Sequence, residues 1–221
     1  MISVLIPAYN EESSITATVR AVWKVEMVRQ VVVVDDGSLD STAERAADAG
    51  ATVIRLPTNK GKGNALNVGI PHLNEPIIAL LDADLGESAS QLEVLARPVV
   101  DGVADMAIAS FPRVKKGGGF GLVKGLARGG IYLLTGLWLQ APLSGQRVLR
   151  REVLAAVFPF AEGYGVEVAM TVKAARAGFR ILEVPTTMSH RVTGRNWAGF
   201  KHRGKQFWHV LLTLLKVVSE R

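Results

Sequence analysis

The feature that most constrains this chain is an apolar run that ends in two aspartates, Ile77-Ile78-Ala79-Leu80-Leu81-Asp82-Ala83-Asp84. A continuous apolar run of this length is typical of a strand that is covered on both faces of a sheet. Ionised carboxylates are costly to bury unless they are paired, hydrogen-bonded or bound to a metal ion. The pair Asp82 and Asp84 therefore indicates either an exposed turn or a site that requires negative charge.

The rest of the first half predicts an α/β fold with a single Rossmann-like, mainly parallel sheet flanked by helices. Strand-like runs at 2–6, 31–34, 51–55 and 105–110 alternate with helical patterns at 11–23, 40–49, 61–68 and 88–100. Such alternation is the pattern of sheets whose strands lie parallel. Pro7 is expected to stop the first strand, because proline lacks a backbone N–H.

Polar clusters follow three of these strands, at 7–11, 35–38 and 82–84. In parallel sheets ligands bind beyond the carboxyl ends of the strands, so the three clusters are expected to share one edge. Gly61 and Gly63 do not form a dinucleotide fingerprint, because Leu66 occupies the third glycine position and the loop does not follow the first strand. The carboxylate pair is thus more consistent with a ligand site than with an isolated turn.

Charge is distributed unevenly along the chain. Residues 1–105 carry 8 basic and 15 acidic side chains, a balance of −7, whereas residues 106–221 carry 18 basic and 5 acidic, a balance of +13. Neither the stretch between Asp105 and Glu152 nor the one between Glu183 and Glu220 contains an acidic residue. These basic stretches suit a phosphate-bearing ligand, an anionic membrane surface or a solvated basic face.

Length and composition favour one domain over residues 1–221, since 221 residues with 48% hydrophobic content can build one core. The absence of cysteine excludes disulfides and thiolate metal sites. The longest uncharged stretch, 129–146, is interrupted by Gly, Pro and Ser and is shorter than the roughly 20 residues of a spanning helix. No signal peptide is visible, so a cytoplasmic location is expected, with peripheral membrane contact through an amphipathic helix at 196–221 left open.

Four segments of the first half, 4–12, 33–42, 59–66 and 80–85, resemble the GT-A-fold glycosyltransferases of the family 2 type in residue type, order and spacing. The last of these contains the D-x-D motif of Asp82 and Asp84. In the second half, the segments 141–145, 150–151, 159–160, 163–168 and 190–191 are similar to glucosyl-3-phosphoglycerate synthase-like enzymes. The resemblance implies a GT-A fold with a nucleotide-sugar-binding half at 1–105 and an acceptor-binding half at 106–195.

The resemblance also implies a metal-dependent enzyme that moves a hexose from a UDP- or GDP-sugar to a phosphorylated or acidic acceptor. Mn²⁺ or Mg²⁺ would be held by Asp84 and His190, with Asp82 facing the ribose or the metal. Asp84, Glu167 and His190 are the catalytic residues that it implies, and Glu167 would position a hydroxyl or act as a base. A plain alternative for Glu167 is favourable charge at a helix N-terminus.

By the same resemblance, the nucleotide-sugar would be bound by Pro7, Ala8, Tyr9, Glu11, Asp36, Lys62, Asp82 and Ala83. Lys62 is expected at the diphosphate, because the flanking glycines let the backbone approach the phosphates. A helix-start role for Glu11 and a turn role for Asp36 stay open. The acceptor would be bound by Ser144, Gly145, Arg147, Arg191 and Arg195.

The acceptor is where the sequence departs from the phosphoglycerate-using enzymes. Their glycine-rich loop carries an arginine and a threonine, whereas residues 119–122 here read Gly-Phe-Gly-Leu. An acceptor other than 3-phosphoglycerate is therefore expected. A polyprenyl phosphate at the membrane is an alternative, since the tail is basic and amphipathic, although the tail could instead pack on the domain or form a homodimer.

Other classes fit the sequence less well. A nucleotidyltransferase would carry a glycine- and arginine-rich first loop, which 7–11 does not supply. A non-catalytic nucleotide-sugar-binding protein would be expected to lose Lys62, Asp84 or His190, and all three are present. No nucleic-acid partner is expected, because the basic half contains no recognition motif.

Overall fold

The computed structural model describes residues 1–111, 121–161, 165–189, 207–208, 210–216 and 218. Its strands are β1 (Ile2–Ala8), β2 (Val28–Asp35), β3 (Thr52–Arg55), β4 (Ile77–Leu80), β5 (Met106–Ser110), β6 (Arg147–Arg150) and β7 (Ile181–Pro185). Its α-helices are α1 (Ile15–Trp23), α2 (Thr42–Asp48), α3 (Lys62–Gly69), α4 (Leu92–Val100), α5 (Leu122–Thr135), α6 (Arg151–Val157) and α7 (Val166–Arg176). Short 3₁₀ helices cover Ile70–His72 and Gly86–Gln91.

In the described part of the chain, the strands form one sheet in the order β3-β2-β1-β4-β6-β5-β7. The pairs among β3, β2, β1 and β4 are parallel, as is the pair of β5 with β7. Strand β6 runs antiparallel to both of its neighbours. The mainly parallel α/β sheet is confirmed, and β6 brings residues 144–147 to the carboxyl end of β4, where Leu80 pairs with Arg147.

Apolar side chains cover both faces of the sheet. Ile2, Val4 and Ile6 of β1 pack in one buried cluster with α1 and α4, whereas Leu5 packs in a second cluster with α3, α6 and α7. A strand with both faces covered needs apolar residues at every position and not only at alternate ones. This explains the continuous apolar runs in the sequence.

Pro7 does not stop β1, contrary to expectation. The strand continues to Ala8, with Pro7 opposite Val34 of β2. The carbonyl of Leu5 accepts from Leu81 N, so odd-numbered residues of β1 direct their backbone polar groups toward β4. Because β4 ends at Leu80, no ladder bond is lost at Pro7, whose missing N–H faces the end of that strand.

Strand β7 ends at Pro185 and does not continue over 186–189. The backbone N–H of Thr186 still donates to Ser110 O at 2.9 Å, but β5 ends at Ser110. There is therefore no neighbouring strand along which β7 could continue. The helix expected from 88 begins as the 3₁₀ turn Gly86–Gln91 and becomes α-helical at Leu92.

The tail is helical wherever it is described between 207 and 218. Its Val210 and Leu214 are buried in the same cluster as Ala127 and Ile131 of α5. Where the chain is described, no helix is both long and apolar enough to cross a membrane. The predicted C-terminal helix is thus confirmed over these residues, and its inner face packs on the domain.

Candidate active site

The turn after β4 carries Asp82 and Asp84 and is attached to α1. The buried hydroxyl of Thr18 donates to Ala83 O at 2.8 Å and accepts from Gly86 N at 2.8 Å. These two bonds fix the backbone on either side of Asp84. Sequence reasoning missed Thr18, because a threonine inside a helical pattern gives no sign of a partner 65 residues away.

Lys62 lies at the first position of α3 and bridges two carboxylates. Its Nζ is 2.7 Å from Asp82 Oδ1 and 3.0 Å from Glu167 Oε1. Burial alone would lower the pKa of Lys62, but the charges of Asp82 and then Glu167 outweigh it and raise that pKa above its ordinary value. The side chains of Lys62 and Asp82 remain 31% and 27% exposed, so a ligand can reach them.

Gln146 is a second hydrogen-bond donor to Asp82. Its Nε2 donates to Asp82 Oδ2 at 2.7 Å, and its Oε1 accepts from the Ser144 hydroxyl at 3.2 Å. Both carboxylate oxygens of Asp82 therefore receive a hydrogen bond from a nitrogen. Sequence reasoning missed Gln146, because its position beside β4 depends on the antiparallel direction of β6.

Gly145 lies against this group of side chains. A Cβ built on Gly145 would be 2.8 Å from Asp82 Oδ2 and 3.0 Å from Oδ1, and it would also collide with Lys62 Nζ. Glycine is therefore required for the backbone of residues 144–146 to approach the ion pair so closely. Of the two residues predicted to contact the acceptor, Gly145 lies against Lys62 and Asp82, and Ser144 donates to Gln146. The acceptor contact of both residues stays a prediction.

Arg147 requires a correction, since it was expected to bind the acceptor. It has no exposed surface, and its guanidinium donates to Ser144 O at 3.0 Å and to Thr171 Oγ1 at 2.9 Å. Burial lowers the pKa of Arg147 to about 10, which leaves it positively charged at neutral pH. Because Thr171 Oγ1 donates in turn to Glu167 O, Arg147 supports the site from behind by joining the 144–147 segment to α7.

Asp36 fixes the loop that leads to Lys62. Its buried carboxylate accepts from Lys60 N at 3.0 Å and from Gly61 N at 2.7 Å. The adjacent Gly37 has φ +76°, and a Cβ there would be 2.8 Å from the Thr58 carbonyl carbon. The structure thus assigns Asp36 a loop-holding role, and its predicted contact with the nucleotide stays a prediction.

The turn after β1 is held against the loop that follows β2. Asn10, at φ +56°, donates from its backbone N–H to the Ser38 hydroxyl and accepts from Leu39 N, both at 2.9 Å. Glu11 accepts from the Ser14 hydroxyl at 2.7 Å, which agrees with the helix-start interpretation. Tyr9 is exposed, whereas Ala8 is buried and accepts from Asp36 N at 2.8 Å.

The chain after β7 returns to the Asp84 turn. Ser189 N donates to Ser88 Oγ at 3.1 Å, and the Ser88 hydroxyl donates to Leu85 O at 2.6 Å. Met188 is buried in the same cluster as Ala83 and Leu85. His190, Arg191 and Arg195 follow in sequence but lie outside the described residues, so their predicted roles stay predictions.

Carboxylates are the metal donors that the described residues supply at this edge. No group of three or more His, Cys, Asp or Glu close enough to hold a metal ion occurs in the described ranges. Mg²⁺ typically takes one or two carboxylates and completes its shell with waters and phosphate oxygens, and Mn²⁺ suits the same oxygen ligands. The donor set of Asp84 and Asp82 is therefore chemically suited to Mg²⁺ or Mn²⁺ bound together with a diphosphate.

The sheet, with an aspartate turn after its central strand and a lysine facing it, defines a GT-A fold. The chain superposes on glucosyl-3-phosphoglycerate synthase from Mycobacterium tuberculosis in complex with Mn²⁺, uridine diphosphate and phosphoglyceric acid, with TM-score 0.82 and 28% identity over 98% of this chain and 78% of that one. The complex of that synthase with Mg²⁺ and uridine diphosphate gives TM-score 0.80 at 25% identity, over 98% and 79% of the two chains. The predicted GT-A fold is confirmed.

A family model, glycosyl transferase family 2, matches residues 3–158, and the chain belongs to this family. It is similar to the glycosyltransferase AglJ of Haloferax volcanii, with 30% identity over 202 residues, 87% of this chain and 64% of the relative. It is 32% identical over 195 residues to glucosyl-3-phosphoglycerate synthase of M. tuberculosis, 77% of this chain and 60% of the relative. The chain thus spans less than two thirds of these two relatives.

An uncharacterised glycosyltransferase of Mycobacterium bovis matches at nearly equal length. It is 31% identical over 225 residues, which is 95% of this chain and 97% of the relative. The family and its relatives support the predicted transferase class and give no support to the nucleotidyltransferase or non-catalytic alternatives.

Proposed function

We propose that this chain is a metal-dependent glycosyltransferase that moves a hexose from a nucleotide-diphospho-sugar to a phosphorylated or acidic acceptor. The observation that carries the proposal is the position of Lys62 between Asp82 and Glu167, at the carboxyl edge of the sheet. Departure of a nucleoside diphosphate builds negative charge, which a fixed cation in a partly enclosed site can stabilise. Lys62 supplies such a cation.

The two aspartates have different roles in this proposal. By resemblance, Asp84 would coordinate Mn²⁺ or Mg²⁺ directly, whereas Asp82, whose two oxygens accept from Lys62 and Gln146, would face the ribose or the metal. By resemblance, His190 would be a further ligand. When bound, the cation neutralises charge on the diphosphate as a Lewis acid. Crystals of the M. tuberculosis synthase that hold Mn²⁺ or Mg²⁺ with uridine diphosphate support this assignment.

Glu167 links the donor and acceptor sides. Its carboxylate is 3.0 Å from Lys62 Nζ, and its backbone carbonyl accepts from Thr171, which Arg147 holds. A carboxylate in this position can orient an acceptor hydroxyl or take its proton as the sugar is transferred. The buried network behind it keeps α7 in register with the 144–147 segment.

The proposed acceptor carries negative charge. Gly145 lies beside Lys62 and Asp82, Ser144 donates to Gln146, and residues 106–221 have a charge balance of +13. The similar synthase has been crystallised with phosphoglyceric acid and with glycerol 3-phosphate, which supports a phosphorylated acceptor. Because residues 119–122 lack the arginine and threonine of those enzymes, we assign a phosphorylated or acidic acceptor other than 3-phosphoglycerate.

Ligand-dependent thermal stability tests the donor and metal together. UDP-glucose, GDP-glucose and ADP-glucose are each added with Mn²⁺, and one of them should raise the melting temperature, because a ligand that binds the folded state stabilises it. Asp84→Asn should lose the Mn²⁺-dependent part of this increase and its transfer activity. Asp101→Asn, at the exposed end of α4, is the matched control.

The outcome that would refute the proposal is full Mn²⁺-dependent donor binding and transfer by Asp84→Asn. The melting temperature of that variant without ligand shows whether the substitution itself has unfolded the protein. Transfer is measured as nucleoside diphosphate release with glycerol 3-phosphate and 3-phosphoglycerate as probes, and greater release with 3-phosphoglycerate would contradict the acceptor assignment.

A further inference from the structure

We propose that α5 and the C-terminal helix together form a docking face for an anionic membrane surface. The docking face consists of exposed apolar side chains on these two helices and just after α5: Leu122, Leu133, Trp138, Trp208, Leu212 and Leu215. The inference goes beyond the proposed reaction and requires nothing of the donor or acceptor. It rests on the packing of the two helices, on the exposure of their outer faces and on the charge around them.

The two helices lie side by side. A Cβ built on Gly130 of α5 would be 2.6 Å from Leu214 Cδ2, so the helices approach as closely as a glycine permits. Val210 and Leu214 of the tail are buried with Ala127 and Ile131 of α5. The inner faces of both helices are therefore already used in the core, and only their outer faces remain for another partner.

The outer faces are apolar where solvent would favour polar residues. On the tail helix, Trp208, Leu212 and Leu215 follow the i, i+4, i+7 spacing of one helical face, and each is more than half exposed. On α5, Leu133 is 84% exposed and Leu122 lies three turns before it on the same side. Exposed apolar side chains grouped on one helical face mark interaction sites more often than isolated apolar residues do.

Aromatic and basic side chains are combined at one end of the face. Tyr132 and Trp138 meet edge to face with ring centroids 5.6 Å apart, and the Arg128 guanidinium lies 5.2 Å from the Trp138 ring. Tryptophan and tyrosine are enriched at the level of lipid headgroups, where their rings bury an apolar body and keep a polar edge in water. Basic residues beside them add attraction to anionic lipid.

The charge around the docking face favours an anionic membrane surface as its partner. The helix α5 lies in the stretch without acidic residues between Asp105 and Glu152, and the described tail lies in the other such stretch, between Glu183 and Glu220. The described parts of these two stretches meet where Leu214 packs on α5. Glu183 reaches this side of the molecule, but its carboxylate accepts from Gln140 N and Ala141 N, both at 2.6 Å.

A second copy of the chain would bring two basic faces into contact, with like charges opposed. An anionic bilayer instead complements the basic residues and accepts the leucines and tryptophans in its interface. Since none of the described helices is able to cross a membrane, the attachment that we propose is peripheral.

Co-sedimentation of the full chain with vesicles tests the proposal. The protein should sediment with vesicles of mixed phosphatidylglycerol and phosphatidylcholine, and much less with phosphatidylcholine alone or at high salt. The double variant Leu133→Glu/Leu215→Glu should lose at least tenfold in vesicle affinity. The matched control is Val94→Glu/Val103→Glu, which changes two exposed valines on and just after α4 and should bind as the native chain does.

Two results would overturn the proposal: a native chain that does not sediment with anionic vesicles, or a double variant that sediments as well as the native chain. In the second case, light scattering identifies the alternative. If the native chain is a dimer and the double variant is a monomer that still binds vesicles, this face is a homodimer interface instead. The native chain and the double variant should show the same donor-dependent thermal stabilisation. This measurement separates a failure of the membrane proposal from a failure of the proposed reaction.

Discussion

Gln146 and Asp82 are joined by a 2.7 Å hydrogen bond in which the amide nitrogen donates to Oδ2 of the carboxylate. Lys62 occupies the other oxygen at the same distance. Asp82 is therefore held by one neutral donor and one cationic donor. This arrangement fixes the direction of the carboxylate that follows β4 and keeps Lys62 within reach of the proposed diphosphate position.

Replacement of Gln146 by glutamate tests this bond. In Gln146→Glu a carboxylate faces the Asp82 carboxylate, and repulsion between them should displace Asp82 or draw Lys62 away from the donor. Donor affinity, measured by calorimetry with UDP-sugar and Mn²⁺, should fall roughly tenfold, which corresponds to about 1.4 kcal/mol. Gln91→Glu, before α4, should leave it unchanged, and equal affinity in the two variants would contradict the prediction.

Gly145→Ala tests the close approach of the backbone to the ion pair. The added Cβ would stand 2.8 Å from Asp82 Oδ2 and against Lys62 Nζ, so the ion pair must move. We expect donor affinity to fall by roughly tenfold or more, or about 1.4 kcal/mol. In Gly125→Ala, on α5, the Cβ meets nothing within 4 Å, and this control should gain about 0.5–1 kcal/mol of stability with unchanged donor affinity.

Thr18→Val tests how the Asp84 turn is held. The variant keeps the side-chain shape but removes the hydroxyl that bonds Ala83 O and Gly86 N, leaving buried polar groups unsatisfied. We expect a loss of about 1–3 kcal/mol in the free energy of unfolding. Mn²⁺-dependent donor stabilisation should fall as well, because the turn that carries Asp84 is no longer fixed.

Thr16→Val serves as the control for this variant. Thr16 lies on α1, as Thr18 does, but its hydroxyl makes only a 3.5 Å contact, with Arg45 O of α2. Both the unfolding free energy and the Mn²⁺ dependence should remain close to native. If the two threonine variants behave alike, the assigned role of Thr18 is wrong.

The sequence was informative wherever function depends on residues that are close to a strand end. Asp82 follows β4, as the apolar run and the parallel-sheet rule predict. Lys62 and Glu167 were expected near it from the family resemblance, and Lys62 contacts both carboxylates. Gln146 and Arg147 could not be assigned in the same way, because their positions follow from the reversed direction of β6. A four-residue strand carries no sequence signal for its direction, and a basic residue looks the same whether it binds a ligand or supports a loop.

Pro7 shows a related limit of sequence reasoning. Proline is unfavourable in a central strand, but only if the missing N–H would have met a partner. At Pro7 that partner strand has ended, so β1 continues along β2 alone. Because β1 extends to Ala8, the Ala8 carbonyl can accept from Asp36 N. The strand propensities of the residues could not have indicated this contact.

The pH dependence of stability should reveal the ion pair of Asp105 with Arg180. Two hydrogen bonds from the Arg180 guanidinium hold the pKa of Asp105 at about 2, below its ordinary value. A depressed carboxyl pKa contributes stability above the unfolded-state value near 4 and loses it as the pH falls toward about 2. Because Arg180 is largely exposed, we expect the contribution to be about 1 kcal/mol after solvent screening.

Asp105→Asn should therefore lower the free energy of unfolding at pH 7 by about 1 kcal/mol, as measured by urea denaturation. The difference from the native chain should shrink between about pH 4 and pH 2, because the native carboxyl becomes protonated over that range. Asp101→Asn, on the exposed end of α4, should track the native chain at every pH. A difference for Asp105→Asn that persists unchanged at the lowest pH would show that Asp105 does not stabilise the fold through its charge.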